Sequence, residues 1–173
     1  FVLKAVAHAL QKHPVINASL DTERQQIIYK EYINLGVAVD TDRGLVVPVL
    51  RNARSMGIPE IAQHLAGIAK QARTGNFAIE DLRGGTFTVS NLGAIGGTYS
   101  TPIINAPEVA ILLIGRTRKL PVVTDDDDAI AVRKMMPLSL TYDHRLVDGA
   151  TAARFLNTIK DYLQNPARLL LAP

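Results

Sequence analysis

The sequence predicts an α+β fold, a mixed β-sheet flanked by helices. Strand-like runs outnumber helical ones, the two kinds do not alternate as they would in a doubly wound sheet, and no internal repeat is present. The chain has 173 residues, 47% hydrophobic and 20% charged, enough for one domain with a real core and too apolar for disorder.

The elements follow in order. Phe1–His13 reads as a helix, with Val2, Val6, Ala9 and Leu10 at helical spacing and Pro14 stopping it. "QQIIYKEYINLGVAVD" is rich in Ile, Tyr and Val and reads as a strand with a bend. "DTDRG" at 40–44 is a turn cluster between Val37–Val39 and Leu45–Val49, which predicts a hairpin, with Pro48 at an edge or bulge. Gly57–Thr74 is the clearest helix: Pro59 and Glu60 in its first turn, Ile61, Leu65 and Ile68 on one face, Lys70 and Arg73 in its last turn, Gly75 at its end. "GGTFTVSNLGAIGG" is a strand running into a glycine-rich loop, and Val109–Ile114 is a continuous apolar strand. "TDDDDA" at 124–129 reads as a hairpin tip. Met136, Leu138, Leu140 and Tyr142 alternate with other residues in a half-buried strand. Ala150–Leu163 is a helix ended by Asn165-Pro166.

Composition narrows the function. A net charge of +3, with five tyrosines and four phenylalanines scattered and no Lys/Arg stripe, argues against nucleic acid as a partner. With no cysteine, disulfides, thiolate zinc sites and a cysteine nucleophile are excluded, and a reducing compartment is compatible. No apolar run reaches the roughly 18 residues needed to span a membrane. The chain opens inside a helix without Met, which reads as a fragment of something longer.

The stretch "LSLTYDHRLVDGAT" at 138–151 ends a strand in groups that are costly to bury. His144 lies where the strand gives way to a turn, charged residues flank it, and Asp148 follows four positions on. Gly149 is expected to let the backbone turn sharply before the next helix. Asp148 also suits the N-cap of that helix, and Asp143 and Arg145 suit a mutual ion pair. A metal at His144 and Asp148 fails on ligand count, since His8, His13 and His64 lie in or beside helices. The run at 125–128 reads as a solvated turn. Ser90 ends a strand before Asn91 and Gly93, and a strand-end hydroxyl beside a cleft can donate to a developing oxyanion. Gly93, Gly96 and Gly97 do not make G-x-G-x-x-G, and neither G-K-[ST] nor G-x-S-x-G occurs, so dinucleotide, phosphate-loop and nucleophile-elbow readings are unsupported.

"DHRLVDG" matches the H-x-x-x-D-G motif of coenzyme A-dependent acyltransferases. With "GVAVDTDRGLVVPVLRNA", "GGTFTVSNLGAIGGTYSTPIINAPEVAILLIGR" and the C-terminal text from "PLSLTYDHRLVDG", the whole chain resembles the catalytic domain of the dihydrolipoamide acyltransferases, the E2 components of 2-oxo acid dehydrogenase complexes. The resemblance implies one acyltransferase domain over 1–173, incomplete at its N-terminus and without lipoyl or peripheral subunit-binding domains. It implies a chloramphenicol acetyltransferase-like fold in homotrimers that build 24-mer or 60-mer cores. The implied substrates are coenzyme A and a lipoyl group carried on a domain outside this chain, with no metal. The implied partners are lipoyl domains and the E1 and E3 components, met through absent domains, in the bacterial cytoplasm or, in a eukaryote, the mitochondrial matrix. On matching positions His144 is the general base, Ser90 the oxyanion-stabilising hydroxyl and Asp148 a positioning aspartate, with Asn91, Leu92 and Gly93 along the coenzyme A and lipoamide channel. The histidine and serine of one site come from adjacent subunits. "GAIGGTYSTPIINAPE" looks more like acetyl- or branched-chain-transferring members than succinyl-transferring ones, with acetyl the expectation. The rivals are a catalytically silent assembly module, another acyltransferase of the superfamily and a Ser90 hydrolase.

Overall fold

Residues 1–75, 77–124 and 129–171 are described by the computed structural model of the chain. They run α1 (Val2–Lys12), β1 (Ala18–Asp21), β2 (Gln26–Tyr29), β3 (Leu35–Thr41), β4 (Gly44–Val46), β5 (Val49–Leu50), α2 (Ile58–Thr74), β6 (Phe87–Asn91), β7 (Ala110–Ile114), β8 (Arg118–Val123), β9 (Ile130–Met135), β10 (Leu138–Tyr142), α3 (Gly149–Gln164) and α4 (Ala167–Leu171). The aspartates at 125–128 lie outside the described residues, while β8 and β9 pair from Arg118–Met135 up to Val123–Ile130 on either side of them.

The most apolar strands take the middle of the main sheet, where both faces are covered. Its order is β10-β7-β6-β3-β4, with β5 also on β3. β3 and β6 run parallel, as do β6 and β7; β10 is antiparallel to β7, and β4 and β5 are antiparallel to β3. The sheet is therefore mixed, as expected. Phe87 of β6 is fully buried with its ring 5.5 Å from Phe155 of α3, so Phe87 and Val89 face the helices. Strand alternation then turns Thr88 and Ser90 to the opposite face.

Three details differ from the sequence reading. The bent strand around Tyr29–Val37 is two strands in two sheets: β2 pairs with β1, while β3 enters the main sheet. Asn17 and Asn34 anchor the switch, Asn17 donating to the Lys30 and Tyr32 carbonyls at 2.9 Å each and Asn34 to the Gly84 carbonyl at 2.8 Å. The α1 stripe is wider than predicted, with Leu3, Ala5, Val6, Ala7, His8, Ala9 and Leu10 all buried. The helix is hemmed in by α2 and α3, and its alanines allow that approach. The predicted hairpin forms between β3 and β4, but Pro48, which has no N–H to give, separates β4 from β5 at the sheet edge, and its carbonyl accepts from Val37 N–H at 2.9 Å.

Helix α2 starts and stops as read. Glu60 accepts the Gly57 N–H at 2.7 Å, and Gly75 closes the helix at φ 65°, a conformation that favours glycine.

Parallel neighbours cannot be joined by a tight turn, so the chain from β6 to β7 must pass over one face of the sheet. It does so from Leu92 to Val109 with a single short 3-10 turn, Gly93–Ile95. Gly115 marks its closest approach: a Cβ there would lie 2.0 Å from the Thr98 carbonyl oxygen.

Candidate active site

His144 stands on a turn built from both sides. The Asp143 N–H donates to the Val109 carbonyl at 2.8 Å, which extends the β7–β10 ladder by one bond. The Asp143 carbonyl then accepts from Leu146 N–H at 3.1 Å and Val147 N–H at 3.0 Å, reversing the chain, and the fully buried Val147 plugs the turn into the core. The carboxylate of Asp143 grips Arg145 with two parallel bonds, Nε to Oδ1 at 2.9 Å and Nη2 to Oδ2 at 2.6 Å. Hydrogen bonding from Arg145 holds the Asp143 carboxyl below the usual carboxylate range. Held between these anchors, the imidazole of His144 is exposed in the single chain, its ring centroid 5.7 Å from that of Tyr142. Among the described residues no hydrogen bond reaches it.

Asp148 caps α3. Its Oδ1 accepts the Thr151 N–H at 2.6 Å, and this backbone bond is the main cause that lowers its carboxyl from the ordinary value. The expectation for Gly149 is corrected: positive φ occurs at Gly44, Gly75, Gly84 and Gly96 and not at Gly149, which starts α3 in ordinary helical geometry. The Asp143 carbonyl makes the sharp turn instead.

Ser90 is half-buried on β6, paired with Ala38 on one side and Leu113 on the other. The three residues named with it build the exit from the strand. Asn91 Oδ1 accepts the Gly93 N–H at 3.0 Å; Leu92 N–H donates to the Ile114 carbonyl at 3.0 Å; a Cβ on Gly93 would meet the Gly115 carbonyl at 2.9 Å.

One chain does not bring Ser90 and His144 together. Leu113 pairs with Ser90 and with Ser139, so His144 lies two strands across and five residues along. At about 3.3 Å per residue and about 4.8 Å per strand the separation is roughly 15–20 Å. Ser90 looks out from the end of the sheet where β6 finishes, His144 from the end where β6 begins.

Sequence reasoning missed Glu108. It is buried, with a carboxyl that burial pushes up to about 7 while hydrogen bonds from Thr88 and Asn105 pull the other way. Its signal was a charged residue abutting the apolar run Val109–Ile114. Among the described residues no group of three or more His, Cys, Asp or Glu side chains is placed to hold a metal ion. None of the described helices is long and apolar enough to cross a membrane.

The fold is a mixed sheet with the histidine turn at one end and the strand-end serine at the other. Chloramphenicol acetyltransferase shares that fold at a TM-score of 0.58 and 16% identity, over 94% of this chain and 75% of that one. The chain belongs to the family of 2-oxoacid dehydrogenases acyltransferase catalytic domains, whose model matches residues 1–171. It is 45% identical over 171 residues to the dihydrolipoyllysine-residue acetyltransferase component of the pyruvate dehydrogenase complex of Haemophilus influenzae, covering 99% of this chain and 30% of that protein. It is 48% identical over 171 residues to the succinyltransferase component of the 2-oxoglutarate dehydrogenase complex of Pseudomonas aeruginosa, covering 99% and 41%. The chain thus spans less than half the length of these relatives.

Among solved structures, dihydrolipoamide acetyltransferase of Azotobacter vinelandii, studied for the role of a serine, a histidine and an asparagine in its catalytic mechanism, superposes with a TM-score of 0.93 at 43% identity, over 98% of this chain and 69% of that one. The cubic core of a pyruvate dehydrogenase multienzyme complex gives a TM-score of 0.92 at 44% identity, over 98% and 69%. Identity alone does not separate acetyl- from succinyl-transferring relatives.

Proposed function

We propose that this chain is the acyl-transfer core of a larger dihydrolipoamide acyltransferase, moving an acyl group between dihydrolipoamide and coenzyme A within a 2-oxo acid dehydrogenase complex. The observation that carries the reading is the family match over residues 1–171, joined to a histidine on an anchored turn at the sheet's end. The whole protein is proposed to act in the bacterial cytoplasm, where its lipoyl domains and the E1 and E3 components would dock through segments outside this chain. Trimers building a 24-mer or 60-mer core are part of the same reading.

The chemistry follows from what a thiol needs. With a pKa near ~8.5, only about 3% of a free thiol is thiolate at pH 7. An imidazole in reach takes the proton as sulfur attacks, worth roughly 10²–10⁴-fold. His144, unencumbered by any intrachain hydrogen bond among the described residues, is the base. Sulfur adds to the thioester carbonyl, and Ser90 Oγ–H donates to the oxyanion that forms. The tetrahedral adduct collapses by expelling the other thiol, which takes the proton back from His144. Given the separation of the two groups in one chain, His144 of one copy faces Ser90 of the next. Asn91, Leu92 and Gly93, which shape the strand exit beside Ser90, line the thiol channel.

Asp148 is a positioning residue that works as the α3 cap behind the histidine turn. The histidine and asparagine named for the Azotobacter vinelandii enzyme are four positions apart, as are His144 and Asp148.

Acetyl is the proposed acyl group; a branched-chain group is the alternative, and the succinyltransferase relatives keep succinyl in the comparison. The test is side-by-side turnover of acetyl-, isobutyryl- and succinyl-CoA with dihydrolipoamide as acceptor. Highest kcat/KM for acetyl-CoA is expected. Thioester hydrolysis without acceptor thiol, and no transfer, would overturn the reading in favour of a hydrolase.

A further inference from the structure

The crossover between β6 and β7 leaves the sheet beside Ser90 and returns at Glu108. Its near end is tied by backbone, Leu92 N–H to the Ile114 carbonyl at 3.0 Å and Arg116 N–H to the Gly97 carbonyl at 2.7 Å. Its far end is tied by a side chain. Glu108 is only 7% exposed and turns back under the crossover, where Thr88 Oγ1–H donates to Oε2 at 2.6 Å and the Asn105 amide donates to Oε1 at 3.5 Å. Gly85 gives the carboxyl its room, for a Cβ there would lie 2.7 Å from Oε1. Thr88 precedes Ser90 by two residues on the same strand and so shares its face of the sheet. The residue after Glu108, Val109, lends its carbonyl to the Asp143 N–H at the base of the His144 turn.

We propose that Glu108 is a positioning residue for acyl transfer: its buried carboxyl, held by Thr88 and Asn105, pins the crossover against the sheet face that carries Ser90 and steadies the strand end that supports the His144 turn. This rests on the reading of the site given above. Burial favours the neutral carboxyl and pushes its pKa up to about 7; the hydroxyl of Thr88 and then the amide of Asn105 offset part of that push. Among the described residues no charged group bears on it; Thr88 from β6, Asn105 from the crossover and Gly85 face it. Loss of the proton near neutrality puts a buried charge beneath the crossover and loosens the anchor.

The experiment is the pH profile of kcat and KM for acyl transfer in the full-length protein, with Glu108→Ala, Glu108→Gln and Thr88→Val beside wild type. Glu108→Ala lowers kcat about tenfold with little change in KM for coenzyme A, the pattern of lost transition-state alignment. Glu108→Gln, neutral and of the same shape, restores kcat and abolishes the fall in rate on the alkaline side of about pH 7. Thr88→Val removes a bond that favours the ionised form and moves that fall to higher pH. An unchanged profile in both Glu108→Gln and Thr88→Val, in a protein that transfers acyl groups, overturns the proposal and leaves the site reading standing. Absence of transfer by wild type takes both down together. If Glu108→Ala does not fold, the other two variants decide.

Discussion

Two side chains carry the proposed chemistry, and each is simple to test. His144→Ala is expected to cut turnover by about 10²–10⁴-fold, because it removes the proton acceptor while the turn around it is held by backbone bonds and Val147. Ser90→Ala should lower kcat by about 10²–10³-fold and leave KM nearly unchanged; an unaltered kcat in steady-state assays would remove Ser90 from the reaction. The sequence singled out these two residues through the family resemblance, since a hydroxyl before a glycine loop is by itself ordinary turn chemistry. The Asp143–Arg145 pair and the capping by Asp148 were legible from local sequence, since both arise between residues within three positions of each other. Glu108 was not. Its partner Thr88 is 20 residues away, and only the crossover brings the two together.

At the scale of elements, α1 is the most deeply buried helix relative to what its pattern suggested. Two histidines, His8 within the helix and His13 at its C-cap, face α3. His8 packs its ring 5.7 Å from Tyr162, and His13 shares a 3.0 Å hydrogen bond with Thr158. Burial lowers the pKa of both, with nearby Lys and Arg charges adding to the effect. The unfolded chain therefore binds protons on these rings more readily than the folded one. Stability is complete above the ordinary histidine value of 6.5 and is lost as pH falls from there toward the lowered native values. Glu108, whose carboxyl is pushed up to about 7, acts in the opposite direction over the same range, so the difference between proteins is the test: as pH is lowered from about 7.5 to about 5.5, His8→Gln should lose less melting temperature than wild type, and identical pH slopes would mean that the His8 ring is freely hydrated. Helix and strand identities in α2, β6, β7, β10 and α3 followed from local pattern, because apolar spacing and end signals agree there. The separation of β2 from β3 was hidden, for it depends on Asn17 and Asn34 bonding to carbonyls that a pattern of apolar residues does not reveal.

For the molecule as a whole, fold class and family were both readable from sequence, since H-x-x-x-D-G and the glycine-rich strand exit occur together across the chain; the solved structures agree on the fold. In the proposed reading the site is completed between chains. If His144 of one copy serves Ser90 of the next, mixing His144→Ala chains with Ser90→Ala chains should recover activity that neither has alone. Random equal mixing in a closed ring leaves about a quarter of the boundaries with both groups intact, so about a quarter of wild-type turnover is expected after dissociation and reassembly. No recovery, with mixing verified by native mass spectrometry, would require both groups to act from one chain. The placement of base and hydroxyl at opposite ends of one sheet has a kinetic corollary. Specific rate should decline on dilution once protomers separate, and a protomer altered at either end spoils one neighbour's boundary while sparing the other, so a minority of damaged copies depresses output in proportion rather than silencing the particle.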